Sequence, residues 1–206
     1  LNDVFVDNTP LNDVIVASPS HYDVAPSNGE LTVAEVRLLK TSGSEKCLQQ
    51  NVDMIRDQYD YILIDCPPSL NILTVNALVA ADGVIIPIQC EYYALEGLTA
   101  LISTIEQLKQ TLHPKLYIDG LLRTMYDGRN RLTLEVSEQL LQHFGDQVYQ
   151  TVIPRNVRLA EAPSHGLPAL YYDKSSQGAA AYLALAGEII RRHQNHHATD
   201  AVESIA

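Results

Sequence analysis

Asp65 is the side chain of this sequence best placed to do chemistry. It closes the apolar run 61–64 and is followed by Cys66 and the prolines Pro67 and Pro68. Four apolar residues are too few for an isolated helix, and the prolines end the run as they would end a strand, so residues 61–64 are predicted to form a buried strand. In open parallel sheets ligands collect beyond the carboxyl ends of the strands, which is where Asp65 would stand. A hydrophobic run ending in aspartate is the Walker B pattern, whose carboxylate helps to hold Mg²⁺, usually through its water shell, beside nucleotide phosphates. The plainer reading of ILID is an aspartate that only caps a helix. Phosphate binding of this kind also needs a glycine-rich GxxxxGK[ST] loop, whose backbone N–H groups and lysine cradle the phosphates. The 206 residues contain no Gly-Lys dipeptide, so the chain by itself is expected not to turn over ATP.

The surrounding pattern decides whether such an aspartate can be positioned. Leu31, Val33, Ala34, Leu38 and Leu39 recur at helical spacing, a second helix is predicted over 47–56, and Ser69 is a candidate cap for a helix running through 76–80. The β-branched run 83–89 reads as a strand, and 94–112 as an amphipathic helix. The alternation continues as KLYIDGLLRTM then RLTLEVSEQLLQHF, as QVYQTVIP then a short helix near 157–162, and ends in an Ala- and Leu-rich helix over 176–192. Strands alternating with helices predict an α/β fold, a doubly wound and mostly parallel sheet. Residues 1–192 read as one domain and 193–206 as a disordered polar tail, in which His193, His196 and His197 are expected to be surface residues and not metal ligands.

Composition narrows the possibilities. Three cysteines without CxxC spacing, Cys47, Cys66 and Cys90, suggest buried free thiols and neither a disulfide framework nor a zinc site. No apolar run approaches a membrane span and no secretory signal opens the sequence, so a cytoplasmic protein is expected. A net charge of -11 argues against an evenly basic nucleic-acid binder. The acidity is uneven: residues 1–120 hold 6 Lys and Arg against 16 Asp and Glu, and residues 121–206 hold 8 against 9. The second part, near neutral overall, is where a local basic patch is expected if one exists.

The blocks DYILIDCPPSL, VIIPIQCEYYALEGL, LLRTMYDGRN and TVIPRNVRLAEAPSHG stand in the order and spacing found in the ParA/Soj family of partitioning ATPases, which the chain resembles from Leu1 to Arg192. The resemblance implies a deviant-Walker P-loop NTPase fold. It further implies a protein that binds ATP and Mg²⁺, closes into a homodimer, binds double-stranded DNA without sequence preference, and hydrolyses ATP when a ParB-type centromere-binding protein stimulates it. Such a protein segregates chromosomes or plasmids in the cytoplasm, associated with the nucleoid. Family members begin with a strand and a KGGxGKT-type loop, and roughly 60 residues of that kind have no counterpart here. The chain therefore reads as an N-terminally truncated member. Because the strand feeding that loop is central and flanks the Walker B strand, its absence is expected to leave apolar edges open.

Other residues carry over one at a time. Asp65 would hold Mg²⁺ through water. Gln89 and Glu91 would face the γ-phosphate side or the dimer seam, or serve only as surface residues. Met125, Pro154 and Asn156 lie in the loops that in the family flank the adenine. Arg129 and Arg158 match the family's DNA-contacting arginines, and a planar, permanently charged fork suits phosphate. Without the resemblance, the commoner reading is a solvated surface on which these arginines pair with Asp127 or Glu161. Arg155 is not assigned. A MinD-like ATPase would need a basic amphipathic C-terminal helix to reach a membrane. The end of this chain has two arginines and few apolar residues after Ile190, so no membrane contact is expected. The remaining alternative is an interaction module or decayed paralogue that works without nucleotide.

Overall fold

The computed structural model describes residues 1–67 and 69–203, and side chains through residue 194. Along the chain run α1 (Asn2–Asp7), α2 (Leu11–Val14), β1 (Val16–Ala17), β2 (Asp23–Val24), α3 (Leu31–Leu38), α4 (Cys47–Asp53), α5 (Ile72–Ala80), β3 (Gly83–Gln89), α6 (Ala94–Thr111), β4 (Tyr117–Tyr126), α7 (Arg131–Phe144), β5 (Val148–Pro154), α8 (Val157–Glu161), α9 (Ala169–Tyr172) and α10 (Gln177–Glu203). Helix α10 continues beyond Arg192, where the sequence pattern ended it. Two compact units result, Leu1–Val84 with Glu106–Tyr117, and Ile85–Ile105 with Ile118–Ala206. Composition shows no such division because every crossing falls inside β3, α6 or β4 and none in a linker.

In the first unit, Val4, Phe5, Leu11, Ala34, Leu38, Leu48, Val52, Ile55, Ala77 and Ala80 form the core. Ala34 and Leu38 are four apart and so share one face of α3. Asn76 is fully buried and satisfied on both sides: its Oδ1 accepts from the Leu48 N–H at 3.0 Å, an otherwise orphaned donor in the first turn of α4, and its Nδ2 donates to the Ile72 carbonyl at 3.0 Å.

Three expectations fail in this unit. Asn71, not Ser69, caps α5, accepting from the N–H groups of Leu73 and Thr74, because the helix starts at Ile72; the Ser69 carbonyl accepts instead from the Thr74 hydroxyl at 2.7 Å. Residues 61–64 form no strand, and Leu63 is 85% exposed. A strand exists through neighbouring strands, and among the described residues no strand pairs with this segment, so Tyr61, Ile62 and Leu63 are exposed while Ile64 packs against the core. Cys66 is likewise exposed, unlike buried Cys90.

The second unit contains a three-stranded sheet in the order β3-β4-β5, with β4 and β5 parallel. Leu122, Tyr149, Ile153 and Leu185 form its core, with Ile85, Leu159, Ala181 and Ile189 packed around them. The β4–β5 register is irregular. Leu121 pairs with Val148 and Arg123 with Val152, so two steps along β4 span four along β5. The backbone released there is satisfied by side chains. The Arg123 guanidinium donates to the carbonyls of Tyr149 at 2.9 Å and Gln150 at 3.1 Å, and the Glu188 carboxylate accepts from the N–H groups of Gln150 at 2.8 Å and Thr151 at 2.9 Å. Both side chains are buried, as partners of buried backbone groups must be.

Gly120 in β4 has no room for a side chain. A Cβ there would meet Cε2 of Tyr149 at 2.5 Å and the Gln147 carbonyl oxygen at 3.0 Å. The Tyr149 ring is fully buried and its hydroxyl is held by the Asp119 carboxylate at 2.6 Å, so it cannot swing aside. Gly120→Ala is expected to destabilise the protein by about 1–3 kcal/mol, the range for overpacking a filled core, as read by the urea midpoint.

Candidate functional site

The carboxyl ends of β3, β4 and β5, all within the second unit, gather every candidate residue except Asp65. Gln89 is the last residue of β3 and is exposed; Glu91 is exposed two residues on, its N–H donating to the Gln89 carbonyl at 2.8 Å. Met125 lies next to the end of β4, Pro154 is the final residue of β5, and Asn156 caps α8.

What joins the last two loops is register. Tyr126 pairs with Pro154, and the Arg155 N–H extends the ladder to the Tyr126 carbonyl at 3.1 Å. Reaching that pairing takes three steps along β4 from Arg123 against two along β5 from Val152, so β4 carries one extra residue. Met125 sits in this bulge with φ of 50°, a left-handed conformation uncommon for a non-glycine residue, and its side chain is 43% exposed. Bulges re-aim side chains at strand ends, and here an unbranched apolar one is turned outward. The Asn156 Oδ1 accepts from the Arg158 N–H at 2.9 Å, so this oxygen serves the start of α8.

Arg129 and Arg158 are both on this edge. The Arg129 fork meets Asp127 through Nε at 2.9 Å and Nη2 at 3.0 Å. Arg158 donates to Glu161 at 2.7 Å and lies 3.4 Å from Asp173. The Arg129 side chain, then its backbone N–H, hold the Asp127 carboxyl down to about 2, and the charge of Arg155 adds to that field. Arg158 likewise lowers Glu161. The pairing anticipated for a solvated surface is thus present. Arg131, in the first turn of α7 and bound to Glu135 at 2.7 Å, is a further cation on this edge that the sequence reading missed, although its i,i+4 spacing to Glu135 was visible.

Asp65 belongs to the first unit, where it follows the non-strand segment 61–64 and is exposed. The helix-capping role that is the plain reading of such an aspartate is filled by Asn71. Among the described residues no cluster of His, Cys, Asp and Glu could hold a metal directly, and no helix is long and apolar enough to cross a membrane. His193 contacts Asp119 at 3.1 Å; the side chains of His196 and His197 lie outside the described residues.

A family model described as an AAA domain matches residues 1–118. A Pseudomonas putida protein is 62% identical over 173 residues, 84% of this chain and 66% of that protein, so the chain spans just under two thirds of that relative's length. The sporulation initiation inhibitor protein Soj of Bacillus subtilis is 48% identical over 188 residues, 91% of this chain and 74% of Soj. The chromosome partitioning protein ParA of Caulobacter vibrioides is 47% identical over 204 residues, 98% of this chain and 76% of ParA. Among solved structures, cobyrinic acid a,c-diamide synthase of Mycobacterium smegmatis, crystallised with an ATP analogue and magnesium, superposes with a TM-score of 0.78 at 30% identity, covering 94% of this chain and 72% of that one. The α/β fold is therefore of the P-loop NTPase type, and with relatives 47–48% identical over more than nine tenths of its length the chain belongs to the ParA/Soj family.

Proposed function

We propose that this chain forms the Walker B, base-side and DNA-side parts of a partitioning ATPase whose phosphate loop lies ahead of Leu1. In this reading the complete protein is a cytoplasmic, nucleoid-associated homodimer that segregates a chromosome or plasmid and answers to a ParB-type partner. Asp65 would hold the nucleotide's Mg²⁺ through water, and Gln89 and Glu91 would stand toward the γ-phosphate or the dimer seam. Met125, Pro154 and Asn156 flank the base, and Arg129 and Arg158 hold duplex phosphates. The described residues fit parts of this ligand set: Asp65 is an exposed carboxylate, and Met125 offers an apolar face to a flat base. They contain no phosphate cradle, since no Gly-Lys occurs. Bound Mg²⁺ would supply neutralisation of phosphate charge.

The observation that carries the DNA reading is the Tyr126–Pro154 register, which brings the Arg129 loop and the Arg158 helix to one sheet edge in the less acidic part of the chain. Arg158→Glu is expected to weaken binding to a random-sequence duplex at low salt by about tenfold or more, and to lower the slope of log affinity against log salt by about one. Fluorescence anisotropy across a salt series reads both. Unchanged affinity and slope would remove the DNA reading.

A further inference from the structure

The cations on this edge are not free to meet a polyanion. Arg129 uses Nε and Nη2 on Asp127, the same side of the fork that would clasp a phosphate in bidentate fashion. Arg158 spends Nη1 on Glu161 and turns Nε toward Asp173, and Arg131 spends Nε on Glu135. With Arg155 beside them, four guanidinium groups stand against four carboxylates, so the edge as folded is close to neutral and draws a polyanion weakly.

Resting on the DNA reading above, we propose that Asp127 and Glu161 are built-in counter-ions which duplex phosphate must displace from Arg129 and Arg158, and that they thereby set the affinity and salt dependence of the surface. A guanidinium edge cannot serve a carboxylate and a phosphate in the same geometry, so binding is an exchange. The exchange is feasible because the pairs are open to solvent: the Arg129 side chain is 91% exposed and that of Arg158 51%, and exposed pairs are weak. It is also local. Asp127 stays in place by accepting the Arg129 backbone N–H at 3.1 Å, and Glu161 also accepts from the Tyr172 hydroxyl at 3.2 Å, so each carboxylate remains as a competitor after displacement. Such competitors reject ligands less highly charged than a duplex, which is discrimination through an opposing charge.

Asp127→Asn and Glu161→Gln test this in a protein carrying a KGGxGKT-type loop ahead of Leu1, with ATP and Mg²⁺ present, since each amide keeps the size of the side chain and one acceptor oxygen while removing the charge. Against a fluorescent random-sequence duplex, each is expected to tighten binding about threefold and the pair about tenfold, with a steeper salt slope as freed arginines displace more counterions. Asp13→Asn, an equal charge change on α2, controls for net charge and is expected to shift affinity by less than about twofold. If the double variant binds like the parent while Arg158→Glu abolishes binding, the counter-ion role is wrong and the DNA reading stands. If Asp13→Asn tightens binding as much as the double variant, net charge explains the effect and the proposal fails. If neither parent nor variants bind at low salt, the DNA reading fails and takes this proposal with it.

Discussion

Asp65→Ala, in a protein carrying a KGGxGKT-type loop ahead of Leu1, is expected to lower Mg²⁺-dependent ATP turnover by about a hundredfold or more, the scale on which single electrostatic groups act at charged transition states. The reasoning starts from what Asp65 does not do. It caps no helix, because Asn71 supplies the acceptor for the first turn of α5, and it is exposed at the end of an apolar segment. Under the Walker B role proposed above, a carboxylate so placed has its effect on chemistry and little on folding. Steady-state turnover and the urea midpoint, measured together, separate the two. A variant that melts like the parent and turns over ATP at the parental rate would rule out the Walker B role.

The largest loss of stability is expected at Glu188. This buried carboxylate receives the N–H groups of Gln150 and Thr151 and is tied to Arg192 at 3.0 Å. Arg192 in turn donates to the carbonyls of Asp146 and Val148 and lies over the Tyr149 ring, 4.2 Å from its centroid. Glu188→Ala leaves two backbone donors without an acceptor and the half-buried Arg192 without its counter-charge, for an expected cost of about 3–5 kcal/mol. The same contacts give stability an acid limb. Burial pushes the Glu188 carboxyl up, but the side chain and N–H of Thr151, the N–H of Gln150 and Arg192 outweigh it and hold the group below the usual carboxylate range. A depressed folded value means that the contribution is fully present above the unfolded value of about 4.3 and is lost as pH falls through the folded one. Glu188→Gln should therefore be less stable at neutral pH and flatter below pH ~4. Parallel acid limbs in the two proteins would place the protonation elsewhere.

The strands and helices of the second unit were legible in the sequence because each satisfies its own period. The run 83–89 is nearly continuous in apolar residues, the blocks around Leu121 and Val152 are apolar stretches broken by a few polar residues, and the helices between them carry stripes. Residues 61–64 obey the same rule and still form no strand, since apolar character makes a strand only where a partner exists. The candidate site was legible as residues but not as geometry. Nothing in MYDGRN marks Met125 as the residue that turns left-handed, because the bulge arises from a mismatch between two strands far apart in sequence. The role of Glu188 was equally hidden, its partners lying 37 and 38 residues away. By contrast the Arg129–Asp127 and Arg158–Glu161 pairs, separated by two and three residues, were anticipated from spacing alone.

The most direct measurement is equilibrium binding of a fluorescent ATP analogue to the protein with its phosphate loop in place, with and without Mg²⁺. The proposed ATPase reading requires saturable binding that strengthens with Mg²⁺ and loses that dependence in Asp65→Ala. Binding indifferent to Mg²⁺, or none at all in a protein that melts cooperatively, would contradict it.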